Sequence, residues 1–138
     1  MPDLGGRDRS DRHARNTAKV LNEIDPDFIR LRPFVPGPGM PLYEDYSKGE
    51  FKLSSPHERL QEIKILVENL NVTSRICFDH FLNSWYSDAT HHRTLFKQDY
   101  EGYKLPEEKD KVLRLIEEGL RVDESVHIHV KDIVGMAL

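Results

Sequence analysis

Arg30 and Arg32 stand two residues apart in the apolar run Phe28–Val35, so in a strand they share one face. If that face lines a cleft, two guanidinium groups on it would bind a carboxylate or phosphate. If it is half open, each reaches water or pairs with Asp or Glu. Ile29, Leu31 and Val35 then face helices on the other side. A second polar group, Asp79, His80 and Asn83, follows the short apolar stretch Arg75–Phe78. At a strand's carboxyl end an Asp–His pair can accept a proton, hydrogen-bond a ligand or hold a metal. Asp and Asn in such places also do ordinary turn chemistry, satisfying nearby backbone donors.

The remaining reactive side chains offer less. Cys77 points away from Phe78 and His80 if its stretch is a strand, which disfavours a Cys77–His80 dyad and fits buried packing. His91 and His92 are adjacent and need a loop to converge on one ion. His127 and His129 could share a strand face, but no third ligand lies at useful spacing, and surface histidines are the plainer account. No glycine-rich loop followed by lysine, serine nucleophile elbow or paired-carboxylate pattern stands out.

The elements that must position these groups can be read from period and punctuation. A helix is expected from Ser10, with Ala14, Thr17, Ala18, Leu21 and Ile24 on its apolar face, ended by Asp25-Pro26-Asp27. Phe28–Val35 follows as a strand, and Pro33 marks an edge position or an early end. Pro36-Gly37-Pro38-Gly39-Met40-Pro41 cannot continue any regular element. Leu42–Phe51 then gives one or two helical turns, stopped by Gly49. Ser55, Pro56 and Glu58 spell a capped helix start with a capping box, and Leu60, Ile63, Leu66, Val67 and Leu70 supply its apolar face. A second strand covers Arg75–Phe78. Ser84–Lys104 has no clear period, Pro106 opens a third strong helix, and Val126, Ile128 and Val130 alternate as in a strand. Helix and strand alternating in this way predict βαβ units around a parallel sheet, here too thin to be a whole barrel.

Composition narrows the class. At 138 residues, 38% hydrophobic and 32% charged, the chain suits one soluble domain. The net charge of −4 gives no reason to expect nucleic acid or an acidic membrane surface as partner. The single cysteine excludes an internal disulfide and any cysteine-built zinc or iron–sulfur site made by this chain alone. Without an apolar leader or a long apolar run, the expectation is a cytoplasmic protein that spans no membrane.

Several stretches together resemble the C-terminal part of a radical S-adenosylmethionine (radical SAM) enzyme, of the branch holding coproporphyrinogen oxidase-like and methylthiotransferase-like proteins. They are Leu4-Gly5-Gly6, Leu21–Asp27, Phe28-Ile29-Arg30-Leu31-Arg32, Pro38-Gly39-Met40-Pro41-Leu42-Tyr43, Ser74-Arg75 through Asp79-His80 and Asn83, and Leu105–Lys109. The proline–glycine segment is similar to the family's Pro-Gly-Thr-Pro-Leu-Tyr, with Met40 in place of threonine. The resemblance covers residues 4–124 and implies the C-terminal portion of a partial (β/α)6 TIM-like barrel over 1–124, with alternating helices and parallel strands, followed by a tail over 125–138.

An intact family member holds a [4Fe–4S] cluster in a Cys-x3-Cys-x2-Cys loop and cleaves S-adenosylmethionine there. These 138 residues contain no such loop. The resemblance implies cofactor-side positions at Gly5, Gly6, Phe34, Val35, Gly39 and Met40. It also implies substrate-side candidates at Arg30, Arg32, Asp79, His80 and Asn83. Two functions follow as expectations: a fragment or split subunit, inert alone and completed by an N-terminal half, or a stand-alone α/β module that has lost the chemistry. Either way, a sheet edge near the first helix should expose apolar surface and favour self-association.

Overall fold

The computed structural model describes residues 1–87 and 92–135. Helix α1 (Ser10–Ile24) leads into strand β1 (Phe28–Arg30), and the short helix α2 (Pro41–Ser47) precedes α3 (Pro56–Asn69). Strand β2 (Arg75–Cys77) is followed by one helical turn, α4 (Phe81–Ser84), and two short strands, β3 (Trp85–Ser87) and β4 (His92–Thr94). Strand β5 (Tyr103–Lys104) and helix α5 (Lys109–Arg121) complete the regular elements, with 3-10 turns at Glu124–Val126 and Val130–Asp132.

The helices begin and end where the local chemistry demands. In α3, Ser55 Oγ accepts from the Glu58 N–H at 3.2 Å, and Glu58 Oε2 accepts from the Ser55 N–H at 2.8 Å, closing the expected capping box. Helix α1 stops at Asp25, whose backbone is left-handed (φ 43°) ahead of Pro26. Asp25 then accepts from the Thr73 N–H at 2.6 Å, which ties this turn to the entry of β2.

The main sheet is mixed, in the order β1-β2-β5. Strands β1 and β2 run parallel with Ile29 opposite Ile76, whereas β5 runs antiparallel to β2. The structure is therefore a mixed helix-and-sheet fold with a small open sheet, and the expectation that all its strands are parallel is corrected. Helices α1 and α3 pack together, as do α3 and α5. Ile29, Ile63, Leu66, Val67, Ile76, Val112 and Ile116 lie in one continuous core.

Five further expectations need correction. Strand β1 ends at Arg30 rather than Val35, because beyond Leu31 the chain gives its hydrogen bonds elsewhere: the Phe34 N–H donates to Pro2 O at 2.9 Å. The third strand comes from Tyr103–Lys104, inside the stretch without a period. The tail's alternation belongs instead to 3-10 turns that bury Val130. Helix α5 starts at Lys109, three residues after Pro106, because residues 105–108 form turns in which Glu108 Oε2 accepts the Lys104 N–H at 2.8 Å. Finally, Ile24 is not core: it is 63% exposed, beside exposed Val20 on α1.

Candidate functional site

Parallel pairing brings the carboxyl ends of β1 and β2 side by side, with Arg30 opposite Cys77. Arg30 therefore comes within reach of Asp79, two residues past β2. Its Nε–H donates to Asp79 Oδ1 at 3.2 Å, and Nη2 donates to Oδ2. The Arg30 guanidinium also lies 4.9 Å from the centre of the Tyr100 ring. This hydrogen-bonded ion pair holds the Asp79 carboxyl below its ordinary range and raises Arg30 above its own.

The other candidates complete that rim in different ways. Arg32 is exposed and makes no ion pair among the described residues. His80 is held below its usual imidazole value, first by burial and then by the charge of Arg32. Its Nδ1 accepts from the Leu82 N–H at 3.4 Å, and its ring stacks on Phe81 at 4.9 Å. Asn83 is buried and structural: its Nδ2 donates to Leu31 O at 2.6 Å, fastening α4 to the end of β1. Four of the five substrate-side candidates thus share one rim, and the fifth braces it. Chemically the rim presents one unneutralised guanidinium, on Arg32, beside a satisfied ion pair.

Strand alternation sends Phe28, Arg30, Arg75 and Cys77 to the face away from Ile29 and Ile76. Over β2 that face is covered by residues 99–102. Cys77 Sγ donates to Tyr100 O at 3.4 Å, and Arg75 Nη1 to Glu101 O at 3.2 Å. Gly102 has φ 60°, and a Cβ there would stand 2.2 Å from Ile76 O. Cys77 is fully buried, and burial pushes its thiol up. Over β1 the same face is open, with Phe28 53% exposed.

The cofactor-side candidates divide. Gly6 (φ 66°) and Phe34 gather around Phe51: the two phenyl rings meet edge-on at 5.8 Å, and a Cβ on Gly6 would lie 3.0 Å from the Phe51 ring. Gly5 abuts His13 instead, and Val35 is half-buried in the extended stretch. Gly39 and Met40 form the turn into α2, where Met40 is 46% exposed. A hollow of about 280 Å3 is bordered by Gly5, Gly6, Leu42 and Phe51, while Phe34, Val35, Gly39 and Met40 lie outside its lining, so the six positions do not share one cavity. The lone cysteine, buried against Tyr100 O, cannot ligate a cluster. One cysteine does not supply the three ligands of the cluster that the resemblance implies.

His127 and His129 turn inward to backbone carbonyls: His127 Nε2 lies 2.9 Å from Gly119 O and His129 Nε2 3.3 Å from Glu124 O. His91, and the side chain of His92, lie outside the described residues. Among the described residues no three His, Cys, Asp or Glu side chains are placed to hold a metal ion. No described helix is long and apolar enough to cross a membrane.

One set of residues escapes any reading of sequence spacing. Asp3, Arg59 and Glu62 are all buried, and Arg59 Nε lies 2.8 Å from Asp3 Oδ2. Arg59 Nη1 also donates to Leu82 O at 3.0 Å. Burial, with Glu62 nearby, raises the Asp3 carboxyl to about 6 despite Arg59. Glu62 accepts from the Asp3 N–H at 3.1 Å and lies 2.7 Å from His13 Nδ1. His13 and Glu62 border a cavity of about 240 Å3 between α1, β1 and α3. Partners 49 to 59 positions apart leave no local pattern; the only available signal was that Arg59 and Glu62 fall beside the apolar positions of a well-capped helix.

No family model, curated protein or solved structure matches this chain.

Proposed function

We propose that this chain is a C-terminal section of a radical SAM-type enzyme. In this reading it supplies one wall of a partial (β/α)6 barrel and is inert until a cluster-bearing half completes it. The observation that carries the reading is the edge of β1. Among the described residues strand β1 pairs only with β2, parallel to it, and Ile29 belongs to the same core as Ala14 of α1 and Ile63 of α3. Val20 and Ile24 on α1 and Phe28 on β1 are 56%, 63% and 53% exposed, apolar surface of the kind that another chain covers. The rim of Arg30, Arg32, Asp79 and His80 lies at the strands' carboxyl ends, where barrels of this type keep their ligands. With one cysteine this chain does not supply the cluster's ligands, so on this reading the chemistry belongs to the completed assembly.

Co-expression with a half carrying the Cys-x3-Cys-x2-Cys loop tests the reading. A brown, cluster-containing complex that cleaves S-adenosylmethionine is the expected result. A chain that stays monomeric, unfolds cooperatively and ignores that half would sink it.

A second reading, a stand-alone α/β binding module, is favoured by the opposite end of the sheet. Antiparallel β5 and residues 99–102 close that end with the chain's own residues. On that reading the open rim around Arg32 meets an anionic ligand or partner. Sedimentation separates the two, because a clean monomer at high concentration argues for the module and association through β1 for the wall.

A further inference from the structure

His13 and Glu62 are used by neither the strand-end rim nor the barrel reading, yet they are arranged as a polar anchor inside an apolar cavity. The Glu62 side chain is 3% exposed and its two oxygens are taken, Oε2 by the Asp3 N–H and Oε1 by His13 Nδ1. An ionised carboxylate only accepts, so Nδ1 carries the hydrogen of that contact and the imidazole is fixed in orientation and tautomer. In the neutral ring Nε2 then holds a lone pair, and it meets no hydrogen-bond partner among the described residues.

The cavity that His13 borders is lined by apolar Leu21, Ile29, Ile63 and Leu66, with Met1, Thr17 and Arg30 among its other residues. Its volume of about 240 Å3 equals the liquid share of roughly eight waters at about 30 Å3 each, and dry apolar cavities of this order accept small aromatic molecules. An open hollow along α1 shares His13, Thr17 and Leu21 with the cavity and gives a way in. Glu62 is the carboxylate that borders the cavity, and its Oε1 is already taken by His13. Apolar walls disfavour any ion that gains no partner among them, so a neutral ligand fits best.

We propose that this cavity is a binding site for a small neutral phenol. Its ring lies among Leu21, Ile29, Ile63 and Leu66, and its hydroxyl donates to His13 Nε2. Glu62 acts as a positioning residue that keeps the acceptor nitrogen turned away from itself.

Phenol and toluene, nearly equal in shape, are the probes. Each is titrated into the full chain at pH 8 while the methyl resonances of Ile29, Ile63 and Leu66 are followed. Phenol should shift them saturably and bind about tenfold more tightly than toluene, the worth of one hydrogen bond in an apolar site. His13→Phe keeps a ring but removes the acceptor, and should bring phenol down to the affinity of toluene. Leu21→Trp fills the cavity mouth and should abolish both shifts. Absence of saturable shifts, equal affinity for the two probes, or phenol shifts that persist in Leu21→Trp would each overturn the proposal. Should His13→Phe fail to fold, the comparison of probes on the native chain still decides. The titration needs no second half of a barrel, so its outcome is separate from that of the co-expression.

Discussion

Arg30 and Asp79 are joined by two parallel hydrogen bonds across the carboxyl ends of adjacent parallel strands. The Asp79 side chain is 6% exposed and that of Arg30 41%, so the pair sits at a rim with its acidic half tucked in. Because Arg30 lowers the Asp79 carboxyl, the pair stabilises the fold above the ordinary carboxylate range. That contribution fades as pH falls below about 3.9. Urea unfolding of the native chain and Asp79→Asn across pH 2 to 7 should show a gap that narrows at the acid end. The same variant releases Arg30 beside Arg32, so sulfate titrated against it should bind more tightly than to the native chain.

The buried Arg59 carries a larger stake. Arg59→Met leaves Asp3 and Glu62 without their guanidinium, and removal of one partner from a buried ion pair costs about 3–5 kcal/mol. Chemical denaturation should show a loss of that size, with part recovered in Arg59→Met/Asp3→Asn. Asp3 also sets a pH slope of its own. Its carboxyl is raised from 3.8 to about 6 in the fold, so the native state holds the proton more firmly. Stability from this group therefore falls as pH rises across that window. Asp3→Asn should flatten that segment of the stability curve.

Gly102 is the position least able to accept a side chain. Its left-handed backbone alone costs an alanine about 1–2 kcal/mol, and the new Cβ would also overlap Ile76 O and Cys77 Sγ. Gly102→Ala should lower the thermal midpoint well beyond what Gly39→Ala does, since nothing lies within 4 Å of a Cβ on Gly39. Equal effects at the two positions would show that the covering loop is not tightly seated.

The C-terminal turns are held to the start of α3 by imidazoles. His57 Nε2 lies 2.9 Å from Val122 O, its ring is 5.4 Å from that of His127, and Glu124 accepts the His57 N–H at 2.8 Å. Burial lowers His127, with His57 and Arg59 adding to the effect and Glu124 opposing it. A histidine lowered in the fold gives full stability above its free value of about 6.5, and loses it as pH falls from there toward the folded value. Hydrogen exchange at residues 122–135 should accelerate below that pH, and His127→Asn should remove most of the change.

The sequence announced the helices better than the sheet. Ser55-Pro56 with Glu58, and Asp25-Pro26, act through atoms only a few positions away, so α1 and α3 were legible at their ends. Strand β5 has two residues and exists because β2 offers an edge, which no local period records. The rim was half legible: the Arg30–Arg32 spacing and the Asp79–His80 pair could be seen, but not that Arg30 is neutralised by Asp79. His13–Glu62 and Asp3–Arg59 were invisible, since helix packing creates them between residues far apart in the chain. Ile24 misled for a related reason, having helical spacing but no neighbour beyond the end of the sheet.

The antiparallel turn of the sheet at β5 has a consequence for assembly size. The outer strand there is two residues long and flanked by Lys97 and Lys111, both lying over the Tyr103 ring. So short a strand, edged by the charged pairs Lys97–Asp99 and Lys111–Glu108, resists further pairing. The three-stranded sheet can therefore grow in one direction only, from β1. Two copies joined there would consume both growth points at once, and the product would be a closed pair rather than a fibre.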